Sequence, residues 1–134
     1  MLPPILGRCF CGRTRYRATS SPLWQAFCHC ESCRRATAAP FTAFFGIRDG
    51  DWIWEGQAPS TYSSSSGVWR DFCPTCGTPM SYRSTRFPGE THFYAATLDH
   101  PETYAPTAHV HAAERLPWIY LNDGLAQFPS NSSN

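Results

Sequence analysis

Three cysteines crowd into the six residues Cys28-His29-Cys30-Glu31-Ser32-Cys33. Sulfurs this close in sequence converge on one point only if the backbone coils tightly between them, and such a point suits a soft or borderline metal ion such as zinc. Three ligands leave a tetrahedral ion one position short. A structural zinc site is closed by four protein ligands, whereas a site that keeps a position for water or substrate can do chemistry. His29 could complete the set, but a side chain between two ligating cysteines tends to point away from their ion, so the expected ligands are Cys28, Cys30 and Cys33.

Four more cysteines stand in Cys9-Phe10-Cys11-Gly12 and Cys73-Pro74-Thr75-Cys76-Gly77. In a regular strand Cys9 and Cys11 would share a face about 7 Å apart. The backbone must therefore bend, which Gly12 permits. The two residues between Cys73 and Cys76 let the chain reverse, with both sulfurs facing one ion and backbone amides pointing at them, a zinc-knuckle pattern. Joining Cys9, Cys11, Cys73 and Cys76 makes a closed tetrathiolate site and leaves the trio open. Grouping members of the trio with Cys73 and Cys76 would strand two or three sulfurs without a role. If both ions only hold the fold together, the second site needs a non-cysteine fourth ligand.

Zinc with three thiolates is net anionic, a poor Lewis acid towards a carbonyl but able to hold an incoming thiol as thiolate. The open position therefore suits a sulfur substrate. Arg34 and Arg35, directly after the cluster, are candidates to bind a substrate carboxylate or offset the anionic centre; the alternative is a solvated pair on a helical turn. His29, Glu31 or a water could carry the proton, and the sequence does not choose among them. His109 and His111 could share one side of a strand at a pocket, although two imidazoles alone make an incomplete metal site.

A chain of 134 residues fits one domain, expected over 1–134 with its core at about 7–128 and a frayed polar tail from 129. All eleven basic residues are arginines, which excludes lysine Schiff-base chemistry. The formal charge of +1 gives no field of the kind that draws a protein to nucleic acid or anionic membrane. Met1 to Leu6 lacks the basic start and apolar run of a signal peptide, and no stretch approaches a membrane span, so the expected location is the cytoplasm. An odd number of cysteines in a reducing compartment reads as metal ligands more readily than as disulfides.

These sites need elements to hold them. Thr14 to Thr19 alternates arginines with Thr14, Tyr16 and Ala18, a half-buried strand with a solvated arginine face. Leu23 to Phe27 is a second strand leading into the trio. Arg34 to Ala39 reads as about one helical turn that Pro40 stops. Phe41 to Ile47 and Trp52 to Glu55 read as a hairpin about Asp49-Gly50. Gly56 to Ser66 reads as a polar connector with a mobile loop at 63–66, and Val68 to Phe72 as a strand delivering the knuckle. Thr78 to Ser84 and Thr91 to Leu98 read as a hairpin, Pro101 as the start of a single turn, and His109 to His111 as a late strand. The sum is a mainly-β domain of short antiparallel strands in a folded-over sheet.

The ordered set Cys9-x-Cys11-Gly12, Cys28-His29-Cys30-x-x-Cys33-Arg34-Arg35, Phe72-Cys73-x-x-Cys76-Gly77, Leu98-Asp99-His100-Pro101 and Pro117-Trp118 resembles the glutathione-dependent formaldehyde-activating enzyme family, which also includes centromere protein V. The resemblance runs from about Gly7 to Phe128. It implies an Mss4-like, β-tent fold and two zinc ions per chain, a structural one at Cys9, Cys11, Cys73 and Cys76 and a second at Cys28, Cys30 and Cys33. It also implies a carbon–sulfur lyase reaction run in reverse, joining glutathione and formaldehyde as S-(hydroxymethyl)glutathione. Two other readings compete: a non-catalytic zinc-bound module that recognises a protein or nucleic acid, and a redox thiol switch. Near-neutral charge and the missing lysines weigh against nucleic acid.

Overall fold

The computed structural model describes residues 3–131 as two sheets folded against each other. The smaller has the order β1 (Ile5–Arg8), β2 (Thr14–Ala18) and β5 (Trp52–Gly56), all antiparallel. The larger runs β11 (Ala126–Gln127), β10 (Ala108–Val110), β3 (Trp24–Cys28), β4 (Thr42–Arg48), β9 (Glu90–Tyr94), β8 (Pro79–Ser84), β7 (Val68–Phe72) and β6 (Ser60–Ser65). The mainly-β antiparallel expectation holds. β10 is the exception, running parallel to both β3 and β11, as its long connections to them allow. Among the described residues no helix is long and apolar enough to cross a membrane.

The alternation in β2 buries Thr14, Tyr16 and Ala18 and turns Arg15 and Arg17 outward. Tyr16 stacks on Phe93 at 4.4 Å between ring centroids, with Trp52 edge-on to Phe93 and Trp54 edge-on to both. Each such pair adds about 0.5–1.5 kcal/mol beyond burial. Thr97 Oγ1 donates to the Tyr94 carbonyl, so its oxygen accepts from the Tyr16 hydroxyl at 2.8 Å. Phe45 and Phe93 face this core from neighbouring strands, while the next residues along, Phe44 and Tyr94, face the other side. Cys9 and Cys73 pack with the first face, and Cys28 and Cys33 with the second. The two sulfur clusters thus belong to opposite faces of the larger sheet.

Five local expectations need correction. The turn at Arg48 to Asp51 forms, with Asp51 N–H on the Arg48 carbonyl and Gly50 at φ 97°, but it joins no hairpin. β4 already carries β3 on one edge and β9 on the other, so β5 crosses to the smaller sheet and pairs with β2. The helix, α1 (Glu31–Thr37), begins before Cys33, not after it, because Cys30 caps it. Much of the serine run expected as a mobile loop is the end of β6, paired to β7 with an irregularity at Ser63 to Ser65. The strand expected through Leu98 stops at Tyr94 and passes into a 3-10 turn, Ala95–Thr97. Pro129 and Ser130, placed by polarity in a frayed tail, accept backbone hydrogen bonds from Ala113 and His111. Residues 132–134 of that tail lie outside the described residues.

Candidate metal centres

The bend after β1 brings the first pair of sulfurs together: Gly12, at φ 82°, returns its N–H to the Cys9 carbonyl. The knuckle after β7 closes likewise, Gly77 N–H bonding the Cys73 carbonyl at 2.8 Å. Sulfur separations are 3.5 Å for Cys9 and Cys11 and 3.8 Å for Cys11 and Cys73. A tetrahedral ion bound at about 2.3 Å puts its sulfurs about 3.8 Å apart, so the quartet fits one. Its anionic form is solvated in advance. Thr14 N–H points at Cys9 Sγ, and the Thr75 and Cys76 N–H groups point at Cys73 Sγ. The Thr78 hydroxyl, 3.1 Å from Cys76 Sγ, leads the hydrogen bonds that bring that thiol down to about 5.

The trio is built by the end of β3 and the first turn of α1. Cys28 ends the strand, Cys30 sits extended at φ −66° and ψ 149°, and Cys33 N–H donates to Cys30 Sγ at 3.3 Å. A thiol thus fills the capping place usually held by Ser or Asp. Hydrogen bonds from Cys28 and Cys33 hold the Cys30 thiol far below its ordinary range, and the same contacts drive Cys28 up. Without a cation the three sulfurs favour one shared negative charge; a cation among them favours three. All three ligand atoms lie within 4.8 Å of one another, and among the described residues no fourth His, Cys, Asp or Glu joins them. All seven cysteines are free, and both clusters could hold metal ions.

His29 turns away from the trio, as expected. It is fully buried, its ring 5.0 Å from that of Phe41. Its Nε2 lies 2.8 Å from His109 Nδ1, and His109 Nε2 lies 2.7 Å from Asp123 Oδ2. The Asp123 carboxylate, held below its usual range first by His109, accepts from His109 Nε2–H. His109 Nδ1 is then the acceptor for His29 Nε2–H. Burial first, then the neighbouring His109, lowers His29 to about 4.

Beside the trio lies a cavity of about 990 Å³ onto which Cys30 and Cys33 open. Arg35 borders it but is exposed and paired with Glu31 at 2.9 Å. Arg34 borders a different hollow, with Leu116 and Trp118. His111 lines the cavity and His109 does not, so the two histidines part company. His111 sits at φ 53°, its Nδ1 3.4 Å from Glu114, whose other oxygen accepts the Glu31 N–H at the start of α1.

Sequence reasoning missed Arg70 and Tyr94, which line the same cavity from β7 and β9. Arg70 Nη1 donates to the Tyr94 hydroxyl at 3.4 Å, and its guanidinium lies over the Tyr82 ring at 5.1 Å. Nothing in the alternation of β7 marks Arg70 apart from any outward strand arginine. Asp123 was missed because it lies in a polar stretch far from the trio in sequence.

A folded-over pair of β-sheets carrying one cluster of four cysteines and one of three defines a cysteine-rich class of domain whose clusters could hold metal ions. The family model for the glutathione-dependent formaldehyde-activating enzyme matches residues 4–114, and the chain belongs to that family. It is 32% identical over 84 residues to a protein of Schizosaccharomyces pombe named as an uncharacterised lyase, a match spanning 63% of this chain and 61% of that one. A Rhodobacter sphaeroides protein of known crystal structure shares the fold, with a TM-score of 0.59 at 18% identity over 92% of this chain and 98% of that one.

Proposed function

We propose that the protein is a zinc-dependent carbon–sulfur lyase or synthase that joins a small thiol to an aldehyde, such as glutathione to formaldehyde giving S-(hydroxymethyl)glutathione. Cys28, Cys30 and Cys33 hold the working ion, and Cys9, Cys11, Cys73 and Cys76 hold a second, structural one. The trio carries this reading: three sulfurs gather, no fourth protein donor among the described residues closes the set, and a cavity opens beside it. Membership of the family and the lyase name of the yeast relative support it.

Zinc bound to the trio supplies a centre that lowers the pKa of a thiol and holds it as thiolate. In the joining direction the thiol sulfur bonds the aldehyde carbon, the carbonyl π pair moves to oxygen, and the proton lost by the thiol ends on that oxygen. The reverse breaks the carbon–sulfur bond and returns the proton to sulfur. The three cysteines act as ligands and not as nucleophiles. Cys33 N–H steadies the Cys30 sulfur, and burial of Cys28 and Cys33 keeps water from the inner side of the cluster. Seven free thiols suit a reducing, cytoplasmic setting.

The test is the exchange of formaldehyde with several thiols, followed in the native protein and in Cys30→Ser. The native protein accelerates exchange and the variant does not; equal rates in both end the proposal.

A further inference from the structure

Of the arginines that line the cavity beside the trio, Arg35 and Arg86 are exposed and Arg70 is half-buried. Arg35 already has Glu31, and Arg83, next along β8 from Tyr82, the residue opposite Arg70, is bonded twice to Asp71 at 2.9 Å. Among the described residues the oxygens that Arg70 reaches are neutral, Ser64 Oγ from Nε at 3.3 Å and the Tyr94 hydroxyl from Nη1, and the Cys33 sulfur also lies near it. No carboxylate among the described residues lies within ion-pair distance of it. It is half-buried, braced on the Tyr82 ring, and lines the cavity shared by Cys30 and Cys33. A guanidinium taken partly out of water, with no carboxylate on it, only the Cys33 sulfur as a charge beside it, and a ligand-sized cavity in front of it, is arranged for an anion that arrives with the ligand.

We propose that Arg70 determines specificity by binding the carboxylate of a thiol acid whose sulfur lies at Cys28, Cys30 and Cys33. The inference rests on the thiol reading of the trio and narrows it to thiols that carry a carboxylate within one cavity's reach of the sulfur. Ser64 and Tyr94 position the fork; Tyr82 holds its plane. The rival role for Arg70 is to offset the negative charge of the trio, since it also interacts with the Cys33 sulfur. That role predicts an effect on metal affinity and none on the choice between thiols.

Cobalt(II) in place of zinc reports thiol binding by the change in its thiolate absorption, independent of turnover. Titrations compare 3-mercaptopropionate with 2-mercaptoethanol, thiols of similar size that differ in the carboxylate. The native protein binds the acid about tenfold more tightly, the value of one charge-assisted contact. In Arg70→Gln the ratio falls to about one, with cobalt affinity changed less than about threefold, and Arg70→Lys regains part of it because charge returns without the fork. A native ratio near one, a ratio that survives in Arg70→Gln, or a variant that no longer loads cobalt overturns the proposal. If neither thiol perturbs cobalt in the native protein, the thiol reading of the trio fails as well, a result separate from a ratio of one.

Discussion

His29 Nε2 stands 2.8 Å from His109 Nδ1, which ties the turn between Cys28 and Cys30 to the parallel strand β10 and, through Asp123, to the C-terminal segment. The histidine in the densest cysteine motif of the chain is therefore a packing and hydrogen-bonding residue. His29→Ala should destabilise the fold by about 2–4 kcal/mol, from the emptied volume and from the unpartnered His109. Urea unfolding measures the loss. The folded variant should keep the native metal stoichiometry, and loss of one ion per chain would instead identify His29 as a ligand.

The two clusters should respond differently to loss of a sulfur. Cys73 is buried in the main core and joins segments 62 positions apart through its contact with Cys11. Cys73→Ser should lower stability by about 3 kcal/mol or more, a fall in Tm of roughly 10 °C for a chain of this length. Cys30→Ser should move Tm by less, because Cys30 lies nearer the surface and a serine can still cap α1. Calorimetry on both variants, with metal content measured alongside, distinguishes them; equal losses would contradict the division between quartet and trio.

Acid should act partly through Glu90. Its carboxylate accepts from His92 Nε2 at 2.7 Å and Trp24 Nε1 at 2.9 Å, and those bonds, His92 first, hold its pKa below the usual 4.5 despite burial. A carboxyl depressed in the folded state takes up fewer protons than in the unfolded chain near that pH. Its stabilisation is therefore complete above about 4.5 and is lost as pH falls through and below that value. Glu90→Gln should cost roughly 1–2 kcal/mol at pH 7, and the gap from the native protein should narrow as pH drops to 3. Chemical denaturation at pH 7, 5 and 3 reads this, and a constant gap would exclude the mechanism.

Gly7 lies where β1 crosses the buried ring of Tyr16, and a methyl group there would run into the ring and its hydroxyl. Tyr16 cannot retreat without losing Thr97 and its stack on Phe93. Gly7→Ala should therefore cost about 1–3 kcal/mol, seen as a lower urea midpoint with unchanged slope. Gly89→Ala is the control: its space is open, so its cost should come only from the positive φ of 80°.

The amino-acid sequence by itself determined the local rules of this protein. Alternation made β2 legible, and the short spacings within Cys9-x-Cys11, Cys28-x-Cys30-x-x-Cys33 and Cys73-x-x-Cys76 marked every cysteine the structure gathers, because such convergence needs only a few residues of backbone. Tertiary structure decided which elements meet. The Asp49-Gly50 turn was readable, but not that β4 had both edges occupied and must send β5 to the other sheet. Arg34 and Arg35 neighbour the trio in sequence, yet Arg70, 37 positions beyond Cys33, faces its cavity, because β7 and β9 bring side chains there that no local pattern could single out. Spacing along the chain carries short-range geometry, while strand order across a sheet depends on which edges and faces remain free once the core has packed.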